Sequence, residues 1–131
     1  MAKLSSITEI DGIYNITYQS QAPNIPNIYW ADHTIASATI ANGKLQGQDV
    51  GGTTWTADLT LSENNLVNFL ARVSTHTATS DTYLMTAHGQ PTRETQAYSG
   101  ALKVLILDEE ITIHGTINHG VVTITINMKK I

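Results

Sequence analysis

The chain has 131 residues, enough for one domain with its own core, and a formal net charge of −4. That balance argues against direct nucleic-acid binding, which calls for a basic face; the few lysines and arginines are scattered apart from Lys129-Lys130. Apolar residues make up 41% and charged residues 14%, with Thr the commonest type and Ile next, the composition of a folded β protein and not of a disordered chain. There is no cysteine, which excludes disulfides, thiolate metal sites and cysteine nucleophiles.

The opening residues, Met1-Ala2-Lys3-Leu4-Ser5-Ser6, contain no apolar core of signal-peptide type. No segment reaches transmembrane length, so a soluble, cytoplasmic protein is expected. The first predicted strand is Asp11-Gly12-Ile13-Tyr14-Asn15-Ile16-Thr17-Tyr18, with Tyr14, Ile16 and Tyr18 on one face. Residues 20–27 read as a loop, because Pro23 and Pro26 cannot sit within a central strand. Ile28-Tyr29-Trp30 either packs against the barrel or opens the next strand.

Residues 34–61 are the most telling stretch. An apolar run, 34–41, meets Asn42-Gly43, and a second run starts at Lys44. Asn-Gly between strand-like runs signals a type I′ hairpin, since both central residues need positive φ. Gly47, Gly51 and Gly52 mark places where the chain bends or bulges, and 53–61 supplies a fourth strand. The next segment, 66–73, reads as a strand, although Leu66, Phe69, Leu70 and Val73 also fit a helical stripe.

Residues 74–81 read as a loop, 82–88 as a strand and Gly89-Gln90-Pro91 as a turn. The strand 98–107 carries a buried-looking run, Val104-Leu105-Ile106-Leu107, and Asp108-Glu109 turns the chain. Ile111, Ile113 and Ile117 then alternate with Thr112, His114 and Thr116, and Asn118-His119-Gly120 reads as a tight turn. Val122, Ile124, Ile126 and Met128 alternate with Thr123, Thr125 and Asn127, the cleanest amphipathic strand in the chain. About eight strands at short spacing predict a single all-β domain over 1–131, an antiparallel up-and-down β-barrel.

Catalytic and metal signals are weak. The histidines, at 33, 76, 88, 114 and 119, show no helical zinc spacing and read as surface residues. Asp108-Glu109-Glu110 could act as acid and base or bind a cation, but three consecutive residues in a hairpin do not converge on a point. Asp49, between Gly47 and Gly51, reads as a turn cap before a catalytic carboxylate. No serine sits in a nucleophile elbow and no Gly-rich phosphate cradle is present. Trp30, Trp55 and the tyrosines at 14, 18, 29, 83 and 98 could line a ligand cavity, though core packing is the commoner fate of aromatics. Tyr14, Ile16, Tyr18 and Trp55 are the cavity candidates.

Three motifs in order, Asp11-Gly12-Ile13-Tyr14, Ile40-Ala41-Asn42-Gly43 and Gly47-Gln48-Asp49, resemble the type III secretion negative-regulator family (GrlR-type). The resemblance covers the first half of the chain and implies a lipocalin-like (calycin-like) barrel. It also implies a role in binding a transcriptional activator, without catalysis or cofactor, and a possible homodimer. Gly12, Asn42, Gly43, Gly47 and Asp49 carry the structural motifs. The family's acidic cluster after the fourth strand has no full counterpart: Ser62-Glu63-Asn64-Asn65 holds one carboxylate.

The expected function is therefore that of a non-enzymatic binding protein that sequesters a protein partner, with Glu63, Asp108, Glu109 and Glu110 as the partner-binding carboxylates. An acidic surface can mask a basic partner by charge complementarity. The alternative is a carrier of a small lipophilic ligand or metabolite inside the barrel; a barrel enzyme using Asp49 or His114 is a third reading.

Overall fold

The computed structural model describes residues 4–21, 32–48, 53–75, 84–88 and 90–131. Ten strands are present among them: β1 (Gly12–Gln21), β2 (Asp32–Ala41), β3 (Lys44–Gln48), β4 (Thr54–Leu61), β5 (Leu66–Ser74), β6 (Leu84–Met85), β7 (Pro91–Thr92), β8 (Gln96–Leu107), β9 (Glu110–His119) and β10 (Val122–Lys130). Eight of them close a barrel in the order β1-β10-β9-β8-β5-β4-β3-β2, while β6 and β7 form a small separate ribbon. Every pairing is antiparallel, and β1 closes on β10 with Tyr14 opposite Lys130 and Ile16 opposite Met128. This is the predicted all-β, up-and-down barrel. Among the described residues no helix is long and apolar enough to cross a membrane.

The period of two in the sequence becomes the inside and outside of the wall. In β10, Val122, Ile124, Ile126 and Met128 are buried while Thr125 and Asn127 are exposed. The stretch that fitted both strand and helix is a strand. Val67, Phe69, Ala71 and Val73 point inward, and Leu70 stands on the outer face. That outward leucine is what produced the helical spacing.

The turn at Asn42-Gly43 has φ of 51° and 74°, both positive as a type I′ hairpin requires. A Cβ on Gly43 would stand 2.8 Å from the Leu59 carbonyl oxygen. At Gly47 a Cβ would lie 2.7 Å from Ile35 Cγ2, so this glycine lets β3 lie close against β2.

One end of the barrel is plugged by an element the sequence reading passed over. Ser6 caps a 3₁₀ turn, Ile7–Ile10, and Glu9 reaches back to it in a capping box. Ile10 and Leu4 are buried beneath the barrel, Tyr14 Oη donates to the Ile10 carbonyl at 2.7 Å, and Asn65 Oδ1 accepts from Leu4 N at 2.8 Å. Burial, and then the Asp11 carboxylate, push the Tyr14 phenol up to about 12.

Several boundaries differ from expectation. Ser20 and Gln21 continue β1, held by Ile124 and Thr123 of β10, so the loop starts later than the prolines suggested. His119 ends β9, and the turn is Gly120-Val121, with Val121 N–H donating to the Ala87 carbonyl at 2.8 Å. Of the strand expected at 82–88, residues 82 and 83 lie outside the described residues and, of the rest, only Leu84–Met85 are strand (β6); of the turn expected at 89–91, Gly89 lies outside them and Pro91 is in β7, on a two-stranded ribbon where its missing N–H is tolerated. Of the run 104–107, only Val104 is buried; Leu105 and Ile106 are half-buried and Leu107 is exposed. A hairpin that runs past the barrel rim has solvent on one face, so hydrophobicity alone misjudged its burial.

Candidate functional site

The structure separates the candidate residues into two ends of the barrel. Tyr14 packs onto the plug, with Ile16 above it, while Tyr18 and Trp55 lie at the opposite end. Tyr14 and Tyr18 are four residues apart on one strand, which sets them roughly 13 Å apart along the barrel. All four cavity candidates are buried, together with Phe69, Leu102, Ile113, Ile126 and Met128 from strands around the wall. An eight-stranded barrel is only wide enough for such side chains to fill it, or to hold one small ligand.

The end opposite the plug carries a layer of aromatics that the sequence reading gathered only in part. Trp55 Nε1 donates to Tyr18 Oη at 3.2 Å, and the two rings meet edge to face at 4.7 Å. Trp55 stacks on Tyr98 at 6.4 Å, and Tyr98 meets His119 edge to face at 5.3 Å. His119 Nε2 lies 2.8 Å from Gln96 Oε1; a carbonyl oxygen only accepts, so Nε2 carries the hydrogen. The sequence predicts a surface turn at His119. His119 is half-buried and belongs to this layer, because β9 runs two residues further than the Asn-His-Gly signal implied. His114 is exposed on the outer face beside Lys103 of β8 and Asn127 of β10.

The acidic candidates gather at the plugged end. Glu63 lies in a 3₁₀ turn, Glu63–Asn65, between β4 and β5, with Lys103 Nζ donating to the Asn64 carbonyl at 3.1 Å. Asp108 and Glu109 form the β8–β9 turn, Asp108 with φ of 57°, and Glu110 opens β9. Since β5 begins opposite Lys103, both turns sit at the same rim, the β8–β9 hairpin standing further out. All four carboxylates are exposed. Glu9 and Asp11 share this end but are already engaged: Glu9 accepts from Ser5 N and Ser6 N, which hold its carboxyl below the usual range.

Of the structural-motif residues, Gly12, Asn42 and Gly43 also fall here, whereas Gly47 pairs with Trp55 toward the other end. Gly12 starts β1 opposite Ile40, and Asn42 and Gly43 turn β2 into β3. Asp49, Gly51 and Gly52 lie outside the described residues, as do Tyr29, Trp30, His76, Tyr83 and the His33 side chain.

The outer wall bears shallow grooves on both sides of Leu70. One, of about 480 Å³, lies among Asp58, Thr60, Asn68 and Ser99. The other, about 320 Å³, lies among Lys44, Gln46, Thr56 and Arg72. Lys44 and Asp58 form a salt bridge between them, exposed on both sides. Among the described residues, no group of three or more His, Asp or Glu side chains is placed to hold a metal ion. No family model, no curated protein and no solved structure matches this chain.

Proposed function

We propose that this chain is a non-enzymatic, cytoplasmic binding protein with a lipocalin-like barrel, which engages a protein partner and keeps it from acting, as a negative regulator holds a transcriptional activator. One observation carries the reading: Glu63 and the Asp108-Glu109-Glu110 run, far apart in sequence, are exposed carboxylates at the same end of the barrel. Burial of the inward side chains among the described residues is compatible with this reading, since an eight-stranded barrel is narrow enough for its own side chains to fill it. A basic partner surface is the electrostatic complement of that rim. The resemblance of the Asp11-Gly12-Ile13-Tyr14 and Ile40-Ala41-Asn42-Gly43 motifs to the type III secretion negative regulators supplies the activator as the partner class.

A second reading rests on the aromatic layer of Tyr18, Trp55 and Tyr98. Flat rings at a barrel mouth suit a small apolar or ring-shaped ligand. Affinity capture from native lysate, paired with native mass spectrometry of the purified protein, separates the two. A protein captured by the native chain and lost on charge reversal of Asp108, Glu109 and Glu110 supports the regulator. A small molecule retained stoichiometrically, with no protein captured, overturns it in favour of the carrier.

A further inference from the structure

Among the described residues, three of the five exposed large hydrophobics stand where the acidic residues are. Of the exposed large hydrophobics, Ile13 (49%), Leu107 (63%) and Ile131 (69%) stand at the plugged end. The registers place them in one row across the outer face. Ile131 N–H donates to the Ile13 carbonyl at 2.8 Å, extending the β1–β10 ladder by one pair. Continuing the β9–β10 register past Lys129 opposite Thr112 brings Ile131 opposite Glu110, and Glu110 is paired with Leu107. The row is therefore Ile13, Ile131, Glu110, Leu107, with Asp108 and Glu109 at its outer end.

The β8–β9 hairpin that carries this outer end is also unusual. Residues 104–107 pair with β9 but extend beyond Lys103, where the β5 ladder ends. Val104 and Ile111 are buried and Ile106 packs against the core, so the inner face anchors the hairpin and its outer face is the one presented.

We propose that this row is the docking surface for a cationic amphipathic segment of another protein. An apolar patch rimmed by charge is the signature of a protein contact; the charge at the hairpin end of this row is carboxylate, while Lys129 and Lys130 flank its Ile131 end. A segment with two or three apolar side chains on one face would cover Ile13, Ile131 and Leu107. Its lysines or arginines would meet Glu109, Glu110 and Asp108. The inference rests on the protein-binding reading above and assigns the place and chemistry of the contact.

The test uses the full chain, isotopically labelled, titrated with a synthetic amphipathic Lys/Leu helix and separately with its Glu/Leu counterpart. The expected result is amide shifts at Ile13, at 107–110 and at Ile131 with the Lys/Leu peptide only. The Kd should weaken by about tenfold or more in Ile13→Thr/Leu107→Thr. Glu109→Gln/Glu110→Gln should weaken it as well, and gives a second measurement if the apolar variant fails to fold. The inference is overturned by no binding, by equal binding of the Glu/Leu peptide, by shifts around Leu70 or Trp55 instead, or by a self-associated dimer burying the row. If lysate capture still returns a protein in any of those cases, the binding function stands and only its site is wrong.

Discussion

Asp11 Oδ1 accepts a hydrogen bond of 2.9 Å from the backbone N–H of Asn42, joining the start of β1 to the turn between β2 and β3. Next to it, Gly12 pairs with Ile40, and Leu59 N–H donates to the Gly43 carbonyl at 2.8 Å. The two sequence motifs that stand thirty-one positions apart are thus one piece of local structure, a corner where β1, β2, β3 and β4 are held together beside the plug.

This corner predicts graded effects. Asp11→Ala removes the acceptor at a solvent-facing amide and should cost about 1 kcal/mol, while Asp11→Asn keeps an acceptor and should cost less. Gly43→Val forces a β-branched residue into positive φ and toward the Leu59 oxygen, at about 1–3 kcal/mol. Denaturant unfolding of the variants checks the order; equal losses for Asp11→Asn and Asp11→Ala would show that the carboxylate acts by charge and not as an acceptor.

The two faces of β10 should respond differently to truncation. Ile124→Ala empties space in the barrel and should cost about 2–5 kcal/mol, while Thr125→Ala on the outer face should change stability by less than about 0.5 kcal/mol. Similar losses at both positions would mean that the outer face of β10 is covered in solution.

The same logic applies to the protruding hairpin. Val104→Ala should destabilise measurably, and Leu107→Ala hardly at all, because only the first side chain leaves water. Melting temperatures of the pair decide whether Leu107 is free for a partner; a large drop for Leu107→Ala would show it packed.

Tyr14 makes stability fall in alkali. Its phenol rises from 10.0 to about 12 in the folded chain. Between those values the unfolded state has lost the proton that the folded state keeps, so stability declines as pH rises through this window and the contribution is intact below pH 10. Tyr14→Phe lacks the titration. It should be less stable at neutral pH, through loss of the hydrogen bond to Ile10, and should show a shallower decline from pH 10 to 12. Parallel pH profiles for the two proteins would refute the assignment.

Partner binding should weaken with salt. Exposed charges are screened over about 10 Å at 0.1 M ionic strength, so contacts at Glu63, Asp108, Glu109 and Glu110 lose strength there. Reversing the Asp108 run should slow association more than it speeds dissociation, as measured by stopped-flow mixing with the captured partner. A salt-independent rate would exclude these carboxylates from the contact.

Local chemistry by itself determined the barrel. Alternation from Val122 to Met128 and from Ile111 to Ile117 specifies strands with one wet face, and Asn42-Gly43 specifies its own turn, since these depend on neighbours one to four residues away. The same proximity made Asp108-Glu109 legible as a turn. Only the tertiary structure decided which distant residues share a place. The plug on Tyr14, the aromatic layer from Tyr18 to His119 and the row from Ile13 to Leu107 are each built across strands whose register is settled by closure of the whole sheet. Leu107 and Leu70 show the limit most plainly: hydrophobicity marks a residue that can be buried, whereas burial depends on how far the strand beside it extends and on which face of the wall that residue falls.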